Sequence, residues 1–151
     1  MKRSLRHAVS GFTLIELIVI LLLVGIMAAV AVPRMNTDGY RGLVFHDGVV
    51  AALRYAQKTA TSHRRLVCVA FTASTVVLTI DHDNNGACDG HALNLPGAST
   101  NVLQSGDPVA AVFNPVPVGF DFQRDGTGAD KTLTINGETA ITVVSATGHV
   151  Q

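Results

Sequence analysis

The sequence predicts an α+β chain, with a long N-terminal transmembrane α-helix packed on a C-terminal antiparallel β-sheet domain. Three observations carry this. Residues 12–32 are apolar except for Glu16, residues 43–62 place apolar side chains at helical spacing, and the remainder breaks into short β-branched runs between turn residues. The chain has 151 residues, enough for one domain of ordinary size and an anchor. Aromatic residues make up 5%, Trp is absent and Gly reaches 14, which suits short strands and turns better than a large aromatic-lined pocket.

The first element is the apolar run from Phe12 to Val32. As a helix it would reach about 31 Å, enough to span a bilayer's hydrocarbon core. Lys2, Arg3 and Arg6 precede it with no acid beside them, so the leader should stay on the cytoplasmic side. A secretory signal peptide is the alternative, but its apolar region is usually shorter, and Ala29, Ala31 and Pro33 make a poor cleavage site. Glu16 is the anomaly. A carboxylate in hydrocarbon costs several kcal/mol and demands a partner or a role.

Helical spacing resumes at Val49, Leu53, Ala56 and Ala60, one narrow apolar face on a helix over 43–62. The intervening stretch holds Gly39 and Gly42, which weaken a helix by about 1 kcal/mol each. Strands are predicted over 65–72 and 75–81, joined by Ala73-Ser74 as a hairpin, and over 108–113, 116–123, 131–136 and 138–146. Asn136-Gly137 is a strong turn signal between the last two, and residues 124–130 form another turn. These strands should follow one another in antiparallel succession under the helix.

Net charge is zero, with 11 Lys and Arg against 11 Asp and Glu. Setting aside Lys2, Arg3 and Arg6 leaves 8 basic residues against the same 11 acids, a mildly acidic remainder and a poor platform for nucleic acid. The loop "DHDNNGACDG" places Asp81, Asp83, Asn85, Gly86 and Asp89 at alternate positions resembling a calcium loop, but Ala92 stands where a bidentate Glu would close it. An Asx-rich turn pinned by Cys88 is the preferred expectation, with calcium held by Asp81, Asp83, Asn85 and Asp89 as the alternative. Arg54, Lys58, His63, Arg64 and Arg65 gather where the helix ends, which complements its dipole and offers a basic surface. His46, His63, His82 and His91 show no metal-ligand spacing, and His82 and His91 are expected to face solvent. No G-x-S-x-G, HExxH or phosphate-binding glycine loop occurs, so neither catalysis nor a cofactor is expected.

"GFTLIEL" after a short basic leader resembles the class III signal of type IV prepilins and type II secretion pseudopilins. In that family a Gly precedes the cut, Phe becomes the first residue and Glu lies five residues into the mature chain; Gly11, Phe12 and Glu16 match position by position. Gly25 and Pro33 fall where many pilin helices loosen in a filament. The resemblance implies a leader at 1–11, a transmembrane and filament-core helix at 12–32, the outer half of that helix at 33–62 and a globular β-domain at 63–151. It implies cleavage by a prepilin peptidase between Gly11 and Phe12, methylation of the Phe12 amine, and residence in the inner membrane with a periplasmic C-terminal domain. Assembly with other pilin or pseudopilin subunits follows, in which Glu16 meets the Phe12 amine of a neighbour and each charge neutralises the other.

The tail "LTINGETAITVVSATGHVQ", with "FDFQRDGTG" before it, resembles the GspH/FimT group of pseudopilins and minor pilins. That implies a low-abundance subunit that initiates or caps a type IV pilus or a type II secretion pseudopilus. The FimT-like alternative, DNA uptake, uses a terminal Gly-Arg-x-Arg motif; here Gly148, His149, Val150 and Gln151 stand in its place, so both arginines are missing. DNA contact by Arg64, Arg65 and His149 is therefore a secondary expectation. Cys68 and Cys88 would be free thiols in a cytosolic chain. In an exported one they predict a disulfide that closes about 21 residues and contributes about 3 kcal/mol.

Overall fold

The computed structural model describes residues 12–31 and 37–151. The expected leader with Gly11, and the positions of Val32 and Pro33, lie outside the described residues. The chain divides into two compact units, Met1–Asn36 and Thr37–Gln151.

In the first unit, α1 spans Leu14–Ala31. Thr13 caps it: its hydroxyl accepts the Glu16 N–H at 3.3 Å and its carbonyl accepts the Leu17 N–H at 3.2 Å. From Leu14 to Met27 the large apolar side chains are exposed all round the helix, from Leu14 at 76% to Met27 at 72%. A helix apolar on every side needs an apolar environment or neighbouring helices. Among the described residues, however, no helix is long and apolar enough to cross a membrane. α1 itself has 18 residues, about 27 Å against a hydrocarbon core of about 30 Å, and Val32 at the end of the expected 12–32 span lies outside the described residues. Phe12 and Thr13 precede it as non-helical residues.

The second unit opens with α2, Thr37–His63. It begins earlier than the expected 43 and runs through Gly42. Gly42 is buried there against the end of the Glu138 side chain, whose carboxylate would lie within 2.6 Å of an added Cβ. The predicted face is fully buried: Val49, Leu53, Ala56 and Ala60 are each 0% exposed, and Phe45 and Ala52 extend it. The helix closes with Arg64 in a left-handed conformation (φ 51°), and the Arg65 N–H returns to the Ala60 carbonyl at 3.1 Å.

Eight strands follow: β1 Val67–Phe71, β2 Thr75–Ile80, β3 His91–Ala92, β4 Val102–Gln104, β5 Phe120–Phe122, β6 Lys131–Leu133, β7 Ile141–Val144 and β8 His149–Val150. The expected hairpin is present, with β1 and β2 antiparallel from Val67↔Ile80 to Phe71↔Val76. The other edge of β1 is occupied by β5, and the free edge of β2 is shared by β4 at its start and β3 at its end. A separate sheet has the order β6-β7-β8. Strands therefore do not pair in simple succession: β5 crosses back to β1, and the chain builds two sheets.

The strand expected over 108–113 is a turn instead, for a reason legible in Asp107-Pro108. The Asp107 carboxylate accepts the Val109 and Ala110 N–H groups at 3.0 Å each, and the Asp107 carbonyl accepts Ala111 N–H at 3.0 Å, which curls the backbone. Only Phe113 keeps a bridge, to Ile135. The strand expected over 116–123 shortens to β5 because Pro115 and Pro117 remove ladder donors. β3, β4 and β8 were not expected; two or three residues are too short for periodicity to register.

Alternate strand residues point to one core: Val67 and Val69, Val76 and Leu78, Phe120 and Phe122, Ile141 and Val143. Phe45, Phe113, Phe71, Phe120 and Phe122 form a chain of ring contacts at 5.3–5.9 Å that links the helix to the larger sheet. Leu53 lies at the middle of the helix face, and Leu53→Ala should destabilise the domain by about 2–5 kcal/mol through lost burial and the cavity left behind. Urea unfolding followed by circular dichroism measures this; a loss under about 1 kcal/mol would place Leu53 outside the core.

Candidate functional site

Three groups of residues bear on function. The first is the N-terminal signal. Thr13 is the N-cap of α1 and Glu16 its third helical residue, the spacing of a capping box, which sequence reading missed although Thr13-x-x-Glu16 shows it. Glu16 is exposed and lies in the first turn, where the helix dipole favours a negative charge. Its carboxylate is therefore compatible with the helix before any neighbour arrives. Phe12, four residues before it, is 78% exposed.

The second group is the loop after β2. Cys68 and Cys88 form a disulfide with Cα atoms 6.1 Å apart, tying the loop to β1. Asp81 is fully buried, and its carboxylate oxygens accept the Asn85 N–H at 3.1 Å and the Gly86 N–H at 2.8 Å. Arg124 stands 3.8 Å from the same carboxylate. Burial alone would push the Asp81 carboxyl up; the backbone donors of Gly86, Asn85 and Asn84, with the Arg124 charge, outweigh it and hold the group below its ordinary value. The Asp81 N–H and carbonyl are also bonded, to the Leu66 carbonyl at 2.9 Å and by Arg65 at 3.1 Å.

The other proposed calcium residues go different ways. Asn85 donates to Asp89 at 2.6 Å and accepts the Ala87 N–H at 2.8 Å, while Asp83 pairs with His82 at 3.1 Å. Asp81 is thus committed to the backbone donors of the turn, while Asp83 is bonded to a neighbouring histidine. His82 and His91 instead come together, their rings 4.7 Å apart, a juxtaposition created by the pairing of Ile80 with His91 and invisible in their sequence spacing.

The third group is basic. Two members of the expected cluster are engaged by hydrogen bonds to backbone carbonyls. Arg54 donates twice to the Val150 carbonyl, at 3.2 and 3.0 Å, and Arg65 is held at Asp81. Arg64 lines a cleft of about 640 Å³ with Thr61, Asn84, Arg124 and Asp125. The Thr127 hydroxyl, then its amide, hold the Asp125 carboxyl below its ordinary value, so the cleft carries an acid beside its two arginines. His149 is exposed on β8. The terminal segment is a structural strap: Gln57 donates to the Thr147 carbonyl at 2.6 Å, and Gln151 exchanges backbone bonds with Thr142. Gly148 has φ 63°, and a Cβ there would meet the Gly126 carbonyl oxygen.

Residues 6–32 match the family described as the prokaryotic N-terminal methylation motif. The chain therefore carries a type IV pilin-like N terminus with a class III prepilin signal, which spans Gly11, Phe12 and Glu16. Such a signal implies prepilin peptidase processing and interaction with pilin subunits in general. No curated protein and no solved structure matches the chain.

Two predictions concern the loop. Because the folded value of Asp81 lies below the unfolded one, its stabilisation is in place above the unfolded carboxylate value, about pH 3.9, and is lost as pH falls through the folded value. Asp81→Asn should lower the melting temperature at neutral pH, and the gap to the parent should close as pH drops below about 4. A gap that stays constant across that range, in melting curves followed by circular dichroism, would remove the charge from the explanation. Replacing Cys68 and Cys88 together by Ser should cost about 3 kcal/mol of unfolding free energy under oxidising conditions and almost nothing under reducing ones.

Proposed function

We propose that this chain is a minor pilin or pseudopilin of the GspH/FimT type, a structural subunit that initiates or caps a type IV pilus or a type II secretion pseudopilus. The observation that carries the proposal is the join of a prepilin signal to an apolar helix whose side chains are exposed on every side. A helix with no polar face cannot rest in water, and a bundle of like helices supplies the surroundings it lacks. The role is one of assembly rather than turnover. The inner membrane holds the helix before assembly, and the filament core receives it afterwards.

In the filament Glu16 would pair with the methylated Phe12 amine of an adjacent subunit. Either charge alone is expensive away from water, whereas the pair in contact offsets much of that cost and fixes the register between helices. The β-domain then presents its loops to other subunits. The apolar stripe of α2 is already covered by the sheets, so it is the α1 surface that is left for packing.

Glu16→Ala should leave the protein processed and stable but incorporated poorly into sheared filaments. Normal incorporation, quantified by immunoblot of the sheared fraction against the cell fraction, would sink the proposed pairing. At the level of the cell, deletion should abolish or reduce surface pili, or block exoprotein release, with recovery on complementation. If neither process changes, the proposed role in either machine fails.

A further inference from the structure

We propose that His82, Asp83 and His91 form a binding site for a divalent transition-metal ion at the exposed base of the β2–β3 loop, independent of the filament role. One ligand atom from each of the three residues lies within 4.8 Å of the others. His82 Nδ1 and Asp83 Oδ1 are 3.1 Å apart, close to the edge of about 3.3 Å that two ligands make on a tetrahedral zinc at 2.0–2.1 Å. The imidazole of His91 faces that of His82 with ring centroids 4.7 Å apart and planes inclined by 32°. Two imidazoles and one carboxylate are a donor set suited to zinc, copper or nickel rather than calcium, which prefers a shell of oxygens.

The arrangement is held by the fold. His91 is fixed in β3 through its pairing with Ile80. His82 follows Asp81, whose buried carboxylate is bonded to the loop backbone, and Cys88 ties the intervening turn to Cys68. Only the side chains have to turn for the donors to converge. His82 and Asp83, 67% and 63% exposed, are free to do so. Three protein ligands leave at least one coordination position open, for water or for a donor from another molecule.

The site differs from the calcium alternative in its ligands and its metal. Asp81 is not a ligand here; it is buried.

The test is zinc titration by isothermal calorimetry of the full-length chain, solubilised in detergent and stripped with a chelator beforehand. Zinc should bind as a single equivalent, with no displacement by excess calcium. Binding should be lost in the double variant His82→Ala, His91→Ala and weakened by roughly tenfold in Asp83→Asn. Because the three side chains are exposed, the metal-free melting temperature of these variants should match the parent, which separates loss of ligands from loss of fold. Absence of zinc binding by the parent overturns the proposal. So does binding of undiminished affinity in the double variant, or displacement of zinc by calcium.

Discussion

The folded domain depends on one contact, the burial of the α2 face formed by Phe45, Val49, Leu53, Ala56 and Ala60. The two sheets share no strand, so the helix is what each of them packs upon. Strands β1, β4 and β5 of the larger sheet and β8 of the smaller lie against it. Small residues at Ala52, Ala56 and Ala60 let the sheets approach, while Leu53 and the phenylalanine chain fill the volume between. Polar bonds then fix the ends: Arg54 and Gln57 reach across to the terminal segment and hold it where β8 can pair. A side-chain bond to a carbonyl contributes less than burial of a leucine, and its value here is orientation.

How far the fold was legible follows from the period of each element. The α2 face was legible because four residues at helical spacing are enough to define a stripe, and all four are buried. The β1–β2 hairpin was legible because two β-branched runs flank a short turn. The 108–113 segment misled because its valines and alanines read as a strand, while a single side chain, Asp107, satisfied the donors a strand would have used. The return of β5 to β1 was beyond local reading, since partner choice in a sheet is a long-range property. The disulfide could be anticipated only by way of the N-terminal signal, because spacing alone left both thiols open.

The loop after β2 shows how similar residues acquire different tasks from burial. Asp81 and Asp83 are two residues apart and both belong to an apparently calcium-like run. One is enclosed and answered by backbone donors, so its charge organises the turn. The other is exposed and paired with a histidine. Sequence spacing treats them alike; the turn separates them by folding the Asn85 and Gly86 amides onto Asp81 and leaving Asp83 in solvent. The pairing of β2 with β3 then carries His91 to His82, beside the turn that Asp81 organises.

A similar division applies to Glu16. In the isolated chain its position is explained by helix chemistry, with Thr13 as cap and a negative charge at the positive end of the dipole. That account needs no partner, and it explains why an acid at this point does not disturb the helix. It does not explain why the helix beyond it has no polar face at all. A chain needing only a stable helix would gain from polar residues on one side, yet every described side chain from Phe12 to Ala29 is exposed, and Glu16 is the only charged group among them. In the proposed filament, a lone charge on an otherwise apolar helix would also be the mark by which a neighbour finds its register. Under that proposal local stability and recognition between subunits converge on one carboxylate, because the cap and the helix dipole hold the charge in a defined place before assembly begins.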